Sequence, residues 1–344
     1  MQQADLNQPP RYTLHPLVRA FATARLAADP AAERAARERW LRWHVAFAAG
    51  AGASGYDLAG FTCFAPEQEG TFAAAAWAHQ HGYYAEALSI SRKANYFYYV
   101  RGIWDKNVAL NQIGAEAARA IADPHQELLM LAYSVQRLIM QGRLDEANDQ
   151  VARMEERLVE GPLSEEVHHT VRHTFGLYAL IQGRLDDAQA IWEENLERAA
   201  RIQRDSYHII NRLWLAMVLQ ERGELAAAYQ LAEGVLNDAE RVAYTRAVVT
   251  AQLRLAALDL ALGRLDSLAA RLRAGAAIAI PYQDRPNVAR IRYLEGRLAM
   301  LRGEPESARV ALLEAVDHYE RLGLSRELAE AQQALAELTT SCRT

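Results

Sequence analysis

The stretch "QGRLDEA" at residues 141–147 decides the fold, because the chain repeats it as "QGRLDDA" at residues 182–188. The glycine of this phrase recurs along most of the chain, with successive members 40 or 41 residues apart: Gly102, Gly142, Gly183, Gly223, Gly263 and Gly303. A fixed period of this length is typical of stacked helical units, each of which buries its apolar face against its neighbours. The sequence therefore predicts a repeat array.

Each copy of the phrase has the composition of a turn between two helices. A glycine just past a helix end adopts a left-handed conformation that is costly for other residues, and Gly142 and Gly183 suit that position. Acidic residues follow at 145–146 and 186–187, where the dipole of the next helix favours them. The flanking segments carry apolar residues at helical spacing, and strand signals are almost absent. We predict helices over residues 67–80, 84–100, 104–121, 125–141, 144–159, 164–182, 185–202, 205–222, 225–240, 243–262, 265–278, 284–302, 305–322 and 325–339.

Small residues recur on both sides of these turns. They precede the glycine by seven residues or follow it by five: Gly176, Ala216, Ala256 and Gly296, and Ala147, Ala188, Ala228 and Ala308. Paired small positions around a glycine turn resemble the tetratricopeptide repeat, whose usual period is about 34 residues, so the longer period here indicates longer helices. The resemblance implies an all-α, right-handed superhelical solenoid whose concave wall is lined by the first helix of each pair.

The bulk composition limits the possible functions. The 344 residues carry a formal net charge of −5, which argues against a broad nucleic-acid-binding surface. No apolar run approaches the roughly 18 residues that span a bilayer, and no signal peptide opens the chain. Two cysteines, Cys63 and Cys342, are too few for a disulfide framework. We expect a cytoplasmic protein with no membrane partner and no direct nucleic-acid partner.

The front of the chain carries a different motif. Residues 11–26, "RYTLHPLVRAFATARL", resemble the closing segment of the winged-helix domain in STAND-type signalling ATPases, which ends in a Tyr-x-x-His-(Asp/Pro)-Leu-(Val/Leu)-Arg pattern. The matching positions are Tyr12, His15, Pro16, Leu17, Val18 and Arg19. Residues 69–88, "EGTFAAAAWAHQHGYYAEAL", resemble the opening helix of the repeat sensors in these proteins, except that Gly70 replaces the usual Asn.

This resemblance implies a division of the chain into three parts. Residues 1–49 would be the end of a winged-helix domain plus a helical arm, residues 50–66 a glycine-rich flexible connector, and residues 67–344 the repeat sensor. In this family the nucleotide-binding module lies upstream in the same chain and is restrained by the repeats until an inducer binds. The implied partners are that module, contacted by His15 and Arg19, and an inducer that is a protein, a peptide or a small molecule.

The chain has no pattern typical of an enzyme. A phosphate-binding G-x-x-x-x-G-K-[ST] loop and a G-x-S-x-G nucleophile elbow are both absent from the sequence. We therefore expect no cofactor and no catalysis. Two functions remain open: an inducer-sensing, autoinhibitory domain of a STAND-type regulator, and a free-standing tetratricopeptide scaffold that binds peptide motifs or partner proteins.

Placement on the tetratricopeptide pattern selects candidate ligand-binding residues. It turns six side chains toward the concave wall: Tyr133, His173, Trp214, Arg254, Tyr293 and Arg297. Arg172 and Arg212, with Arg292 two periods further on, predict a basic ladder beside this wall. Aromatic and arginine side chains suit recognition sites. Packing of the aromatic residues between repeats, and pairing of the arginines with acids of second helices, remain alternative interpretations.

Glu165, His169 and His173 lie four residues apart and would share one helix face. Such a straight row cannot surround a metal without ligands from elsewhere, and the His-Glu-x-x-His pattern is missing. We expect no metal site; a titratable groove face or solvated histidines explain the spacing.

Overall fold

The fold is described from a computed structural model that covers residues 14–51, 60–158 and 163–341. No β-strand occurs within these ranges. The helices are α1 Pro16–Ala27, α2 Pro30–Gly50, α3 Gly60–Phe64, α4 Gln68–Gln80, α5 Tyr84–Val100, α6 Trp104–Ala120, α7 Pro124–Met140, α8 Leu144–Arg157, α9 Glu165–Ile181, α10 Leu185–Arg201, α11 Asp205–Glu221, α12 Leu225–Arg241, α13 Thr245–Ala261, α14 Leu265–Ala279, α15 Arg285–Leu301, α16 Pro305–Leu322 and α17 Ser325–Ser341. The predicted all-α helical repeat fold is confirmed.

Helix length explains the period of the sequence. Helices α5, α6, α7 and α9 to α13 each contain 17 residues. Turns of three residues separate most neighbours, as between α5 and α6. Two such helices and two such turns make up the 40-residue unit, so the prediction of longer helices is confirmed.

The glycine turns confirm the predicted register. All six repeating glycines have positive φ, which is +73° at Gly183. The Gly183 N–H donates to the carbonyl of Leu180 at 3.0 Å, and the Arg184 N–H donates to the carbonyl of Ala179 at 2.9 Å. These two bonds satisfy the last carbonyls of α9.

The turns that join one repeat to the next use residues other than glycine. Four non-glycine residues have φ between 52° and 56°: Ala122, Gln203, Ala243 and Gln283. Their spacing of 40 residues from Gln203 onward repeats the period, but no sequence signal marks it, because these residue types seldom adopt this conformation.

Small residues let the two helices of a repeat cross closely. A Cβ placed on Gly176 of α9 would lie 2.7 Å from Cε2 of Trp192 on α10. A Cβ on Gly296 of α15 would lie 2.6 Å from Cγ of Leu312 on α16. At both crossings the larger partner fills the space that a side chain would need.

The first helices of successive repeats stack side by side. They are α7, α9, α11, α13 and α15. Helix α7 contacts α9, and contacts of the same kind join α9 to α11, α11 to α13 and α13 to α15. We call the side of the array on which these helices meet the inner surface.

The array closes on itself. A Cβ on Gly102 would overlap the side chain of Leu322, and the Gln141 Nε2 lies 3.5 Å from the Leu322 carbonyl oxygen. Trp104 shares a buried cluster with Tyr319 and Leu322. We call this packing of residues 99–104 and 137–143 against residues 282–289 and 319–325 the closure contact. It joins regions about 180 residues apart in the chain.

The helical arm packs on the first repeat. Helix α2 contacts α4 and α5, and His44 Nδ1 lies 3.2 Å from the Thr71 hydroxyl oxygen. A Cβ on Gly70 would lie 2.8 Å from Cε1 of His44. The departure from Asn at position 70 is therefore explained, because the His44 ring occupies the space.

The predicted connector is only partly tested. Residues 52–59 lie outside the described ranges. From residue 60 the chain is helical, and Phe61 and Phe64 are buried against Phe97 with ring centroids 5.8 and 4.5 Å away. The prediction of a flexible connector is wrong for residues 60–66, because these two rings belong to the core. In the described part of the chain, no helix combines the length and the apolar character needed to cross a membrane.

The closure contact and the repeat register can be tested with one pair of variants. Gly183→Ala should lower the free energy of unfolding by about 1 kcal/mol, because alanine is strained at positive φ. Gly102→Ala should cost roughly 1–3 kcal/mol more, because the new methyl group displaces Leu322. Denaturant unfolding measures both. Equal losses would contradict the Leu322 contact, and an unchanged Gly183→Ala midpoint would contradict the register.

Candidate functional site

The first helices bury an unusual number of polar side chains. On α7, α9, α11, α13 and α15, those with less than a tenth of their surface exposed are Glu127, Ser134, Gln136, Arg137, His169, Thr170, His173, Thr174, Asn211, Gln252, Arg254, Asp259 and Asn287. Burying a polar group costs free energy unless it is hydrogen-bonded. A core with only a packing role would have aliphatic residues at these positions. The buried polar side chains therefore mark these helices as a candidate binding site.

A cluster of aromatic rings and histidines occupies the middle of the array. The Trp192 Nε1 donates to Nδ1 of His173 at 3.1 Å. Trp214 is half-buried, with its ring 5.7 Å from Trp192 and 5.7 Å from His173. His169 stacks on Tyr207 at 3.8 Å. Trp214 thus lies beside His173 of the preceding repeat, and the two rings pack against each other between the repeats.

Burial keeps the two histidines neutral. It is the main cause that lowers the pKa of His173 to about 3, and it lowers the pKa of His169 to about 4. Glu165 turns away to pair with Arg198 at 2.6 Å. Among the described residues no group of three histidine, cysteine or carboxylate side chains is placed to hold a metal ion.

The predicted basic ladder does not line the inner surface. Arg172 pairs with Glu194, and Arg212 Nη1 pairs with Asp238 at 2.6 Å. Arg292 follows the same pattern, pairing with Glu314 at 2.8 Å. Each acid belongs to the second helix of the same repeat, as in the alternative interpretation of pairing, and ligand binding by Arg172 and Arg212 stays a prediction. Their positive charges already have counter-ions.

The other predicted residues are packed rather than open. Tyr133 is half-buried, and burial raises its pKa. Tyr293 lies 6.4 Å from Tyr319 between ring centroids, and its hydroxyl accepts from Arg297 Nη1 at 3.2 Å. Arg254 is buried. These side chains therefore make contacts within the chain, as in the alternative interpretation that the aromatic residues pack between repeats.

Sequence reasoning missed a cationic cluster at the closure contact. The Tyr99 ring lies 3.8 Å from the Arg137 guanidinium carbon and 4.2 Å from that of Arg246. Arg246 Nε pairs with Asp284 at 3.0 Å. Arg101 packs over Phe97 and donates to Gln283. We call Arg101, Arg137 and Arg246, together with Tyr99 and Asp284, the arginine cluster.

Two members of this cluster lack a carboxylate partner. Arg137 donates to Gln136 at 2.9 Å but its Nε has no hydrogen-bond partner, and the same holds for the Nε of Arg101. Within the described ranges, no acid lies within ion-pair distance of either residue, although each is only 6% exposed. Burial is the main cause that lowers the pKa of Arg137 to about 10.

Arg254 repeats this arrangement farther along α13. Its Nη1 donates to Gln220 at 3.2 Å, its Nε is unpartnered, and it is 6% exposed. Burial, reinforced by the positive charge of Arg290 and opposed by the negative charge of Glu221, lowers the pKa of Arg254 to about 9. Because removing an ion from water without an ion-pair partner costs several kcal/mol, we expect these arginines to weaken the closed fold.

The predicted interdomain residues lie on an exposed helix. His15 caps α1 by accepting from the Leu17 N–H at 3.3 Å, and Arg19 is exposed. Helix α1 has no buried residue: Leu17 and Phe21 are 74% and 67% exposed. Tyr12, the first position of the motif, lies outside the described residues.

Comparison with known proteins supports the fold alone. No protein-family model matches the chain, and no curated protein matches its sequence. A solved Rap protein complexed with Competence and Sporulation Factor is similar over 74% of this chain and 75% of its own, with 10% identity and a TM-score of 0.50. The apo form of RapI gives 12% identity, coverage of 74% and 72%, and a TM-score of 0.49. Aspartyl phosphate phosphatase F from Bacillus subtilis gives 9% identity, coverage of 75% and 72%, and a TM-score of 0.47. The Rap complex therefore places the chain among helical-repeat folds.

The electrostatic cost of Arg137 can be measured by replacing it. Arg137→Met should raise the free energy of unfolding by about 1–3 kcal/mol, because it removes a buried charge that has no counter-ion. Arg246→Met is the matched control and should lower it by about 3–5 kcal/mol, because Asp284 is then left unpaired. Chemical denaturation followed by circular dichroism measures both. A loss of stability for Arg137→Met as large as that for Arg246→Met would contradict the assignment.

The buried histidines give the fold a defined pH dependence. Their folded-state pKa values lie below the unfolded value of 6.5, so the unfolded chain takes up protons first and stability falls as the pH falls. Between pH 7.5 and pH 5, each should account for a loss of about 2 kcal/mol. Replacing both, His169→Gln and His173→Gln, should remove this share of the slope in urea titrations, whereas the exposed control His81→Gln should not. An unchanged slope in the double variant would show that these histidines are protonated in the fold.

Proposed function

We propose that this chain is a regulatory binding module that captures a protein or peptide partner on the inner surface of its helical repeats. The observation that carries the proposal is the presence on the first helices of buried arginines whose Nε has no hydrogen-bond partner and which form no ion pair among the described residues, represented by Arg137 and Arg254. Such groups reduce the stability of the fold. A partner that supplies their missing hydrogen bonds and counter-charges would explain why the chain carries them.

The other inner residues suit a peptide. Gln136, Gln141 and Gln252 are each more than nine-tenths buried on the side of the first helices. An amide side chain both donates and accepts, so it can pair with the N–H and C=O groups of an extended chain. Tyr99 and Trp214 add flat apolar surface beside them.

The similar fold of the Rap protein is consistent with this function. That protein was solved in complex with Competence and Sporulation Factor. A helical-repeat array of this kind thus binds another molecule in a protein of similar fold. The likeness supports a binding role for this chain.

The function can be tested without knowing the partner. Purified chain is used to select peptides from a random display library, and the enriched peptides are synthesised and titrated by fluorescence anisotropy. We expect saturable binding that Arg254→Gln weakens about tenfold or more, because it removes a charged hydrogen-bond donor. Arg172→Gln, which loses only an outer ion pair, should bind normally. No enriched peptide, or equal binding by both variants, would contradict the proposal.

A second and narrower candidate is the sensor domain of a STAND-type regulator. The supporting observation is helix α1, which carries the part of the winged-helix motif at residues 16–19 and exposes Leu17, Val18 and Phe21. Apolar residues at this spacing are usually covered by another element. In this account α1 packs against an upstream nucleotide-binding module, and binding at the inner surface releases that module.

The gene separates this candidate from a free-standing scaffold. A phosphate-binding loop followed by a winged helix, encoded in frame ahead of this stretch, would support the sensor. A stop codon or an unrelated domain there would refute it and leave the binding module in place. The chain alone should neither bind nor hydrolyse ATP, and a saturable ATP–Mg²⁺ site in calorimetry would contradict both accounts.

A further inference from the structure

The arginine cluster lies where the two ends of the array meet. Arg101 follows α5 directly and donates to Gln283, in the turn before α15. Arg137 stands one helical turn before Gln141, which contacts the Leu322 carbonyl. The pairing of Arg246 with Asp284 completes the cluster from the C-terminal half. Closing or opening the array therefore changes the surroundings of all three arginines.

The closed state leaves this cluster short of negative charge. Three guanidinium groups face one carboxylate, that of Asp284, among the described residues. The positive charge of Arg246 also acts unfavourably on Arg137, which shares the Tyr99 ring with it. In an opened array the same groups would be hydrated or would accept counter-ions from a ligand. The charges thus favour opening, while the apolar contacts of Trp104, Leu322 and Tyr319 favour closure.

We propose that an acidic peptide segment binds the arginine cluster in an opened form of the array, where its carboxylates supply the counter-ions that the closed form lacks. This proposal rests on the function proposed above and names the chemistry of the partner. Arg137 and Arg101 are 6% exposed in the closed array, so the segment reaches them only after the closure contact separates. Binding then shifts the population toward the open form, because the ligand has affinity for that form alone.

A peptide fits the surroundings better than a free inorganic anion. The cluster continues through Gln136 and Gln141 and then, on α13, to Arg254, two helical turns beyond Arg246. Residues spread along several helices suit an extended chain with acidic groups at intervals. Arginine is suited to such groups because it binds carboxylates with two parallel hydrogen bonds.

The closed form should reduce the apparent affinity for such a segment. When only a fraction of the molecules is open, the apparent dissociation constant rises by the inverse of that fraction. Gly102 is the place to change that fraction, because a Cβ there would overlap Leu322. Gly183 has the same left-handed conformation but no atom within 4 Å of such a Cβ, so it provides a matched control.

The first experiment uses fluorescein-labelled decaglutamate as the probe and decalysine as the charge control, both followed by anisotropy. The full chain should bind decaglutamate saturably and decalysine weakly or not at all. Arg137→Gln should weaken decaglutamate binding about tenfold, as expected for one charged hydrogen-bond donor. Arg198→Gln, which loses an outer ion pair with Glu165, should leave the affinity unchanged. Equal affinity of the Arg137→Gln variant and the wild type would overturn the site.

The second experiment measures the link to opening. Gly102→Ala should bind decaglutamate about tenfold more tightly than the wild type, because more molecules are open. Gly183→Ala should bind as the wild type does. Equal affinities for Gly102→Ala and Gly183→Ala would overturn the requirement for opening, and no saturable binding by folded Gly102→Ala would overturn the acidic partner.

The two proposals fail in different ways. If library-selected peptides bind through Arg254 while decaglutamate does not bind, the acidic partner is wrong and the binding module stands. If neither class of peptide binds, both proposals are wrong. Circular dichroism of each variant confirms that a lost affinity reflects the site and not unfolding.

Discussion

The closed array depends on a balance at the closure contact, where the apolar packing of Trp104 against Tyr319 and Leu322 opposes the buried charges around Tyr99. Arg137 comes from the N-terminal repeats and Arg246 from the C-terminal ones, so the ring joins the two halves. A desolvated cation–π contact contributes on the order of 2 kcal/mol, whereas an unpaired buried charge costs several. The closure contact is therefore held by apolar packing against an electrostatic penalty, and a ligand that removes the penalty can change the state of the array.

Such a balance is possible because some repeats bury mainly apolar side chains, whereas those at the closure contact also bury charged ones. The crossings of Gly176 on Trp192 and Gly296 on Leu312 are close apolar contacts within single repeats. Stability that comes from neighbouring units does not require the ends to meet. The ends can then carry polar groups that suit a partner.

The local parts of this structure could be predicted from the sequence, and the distant contacts could not. Gly183 revealed the turn and the register because a left-handed backbone conformation favours glycine, and glycine is visible in the sequence. The same period predicted that Trp214 follows His173 in the next repeat, and the two ring centroids lie 5.7 Å apart. Arg137 could have been found as the residue one helical turn after Tyr133, on the same face. Its meeting with Arg246 depends on the curvature of the whole array, which accumulates from small rotations between repeats and leaves no local pattern.

The central claim is that the array closes through residues distant in sequence. In a chain with both cysteines replaced by serine, spin labels are placed at Asp145 and Arg326, two exposed positions beside the Gly142–Ser325 contact. Pulsed electron–electron double resonance then measures the distance between the two spin labels. A single short distance that lengthens in Gly102→Ala, but not in Gly183→Ala, is the result that the account predicts. A long or broad distribution in the unmodified array would contradict it.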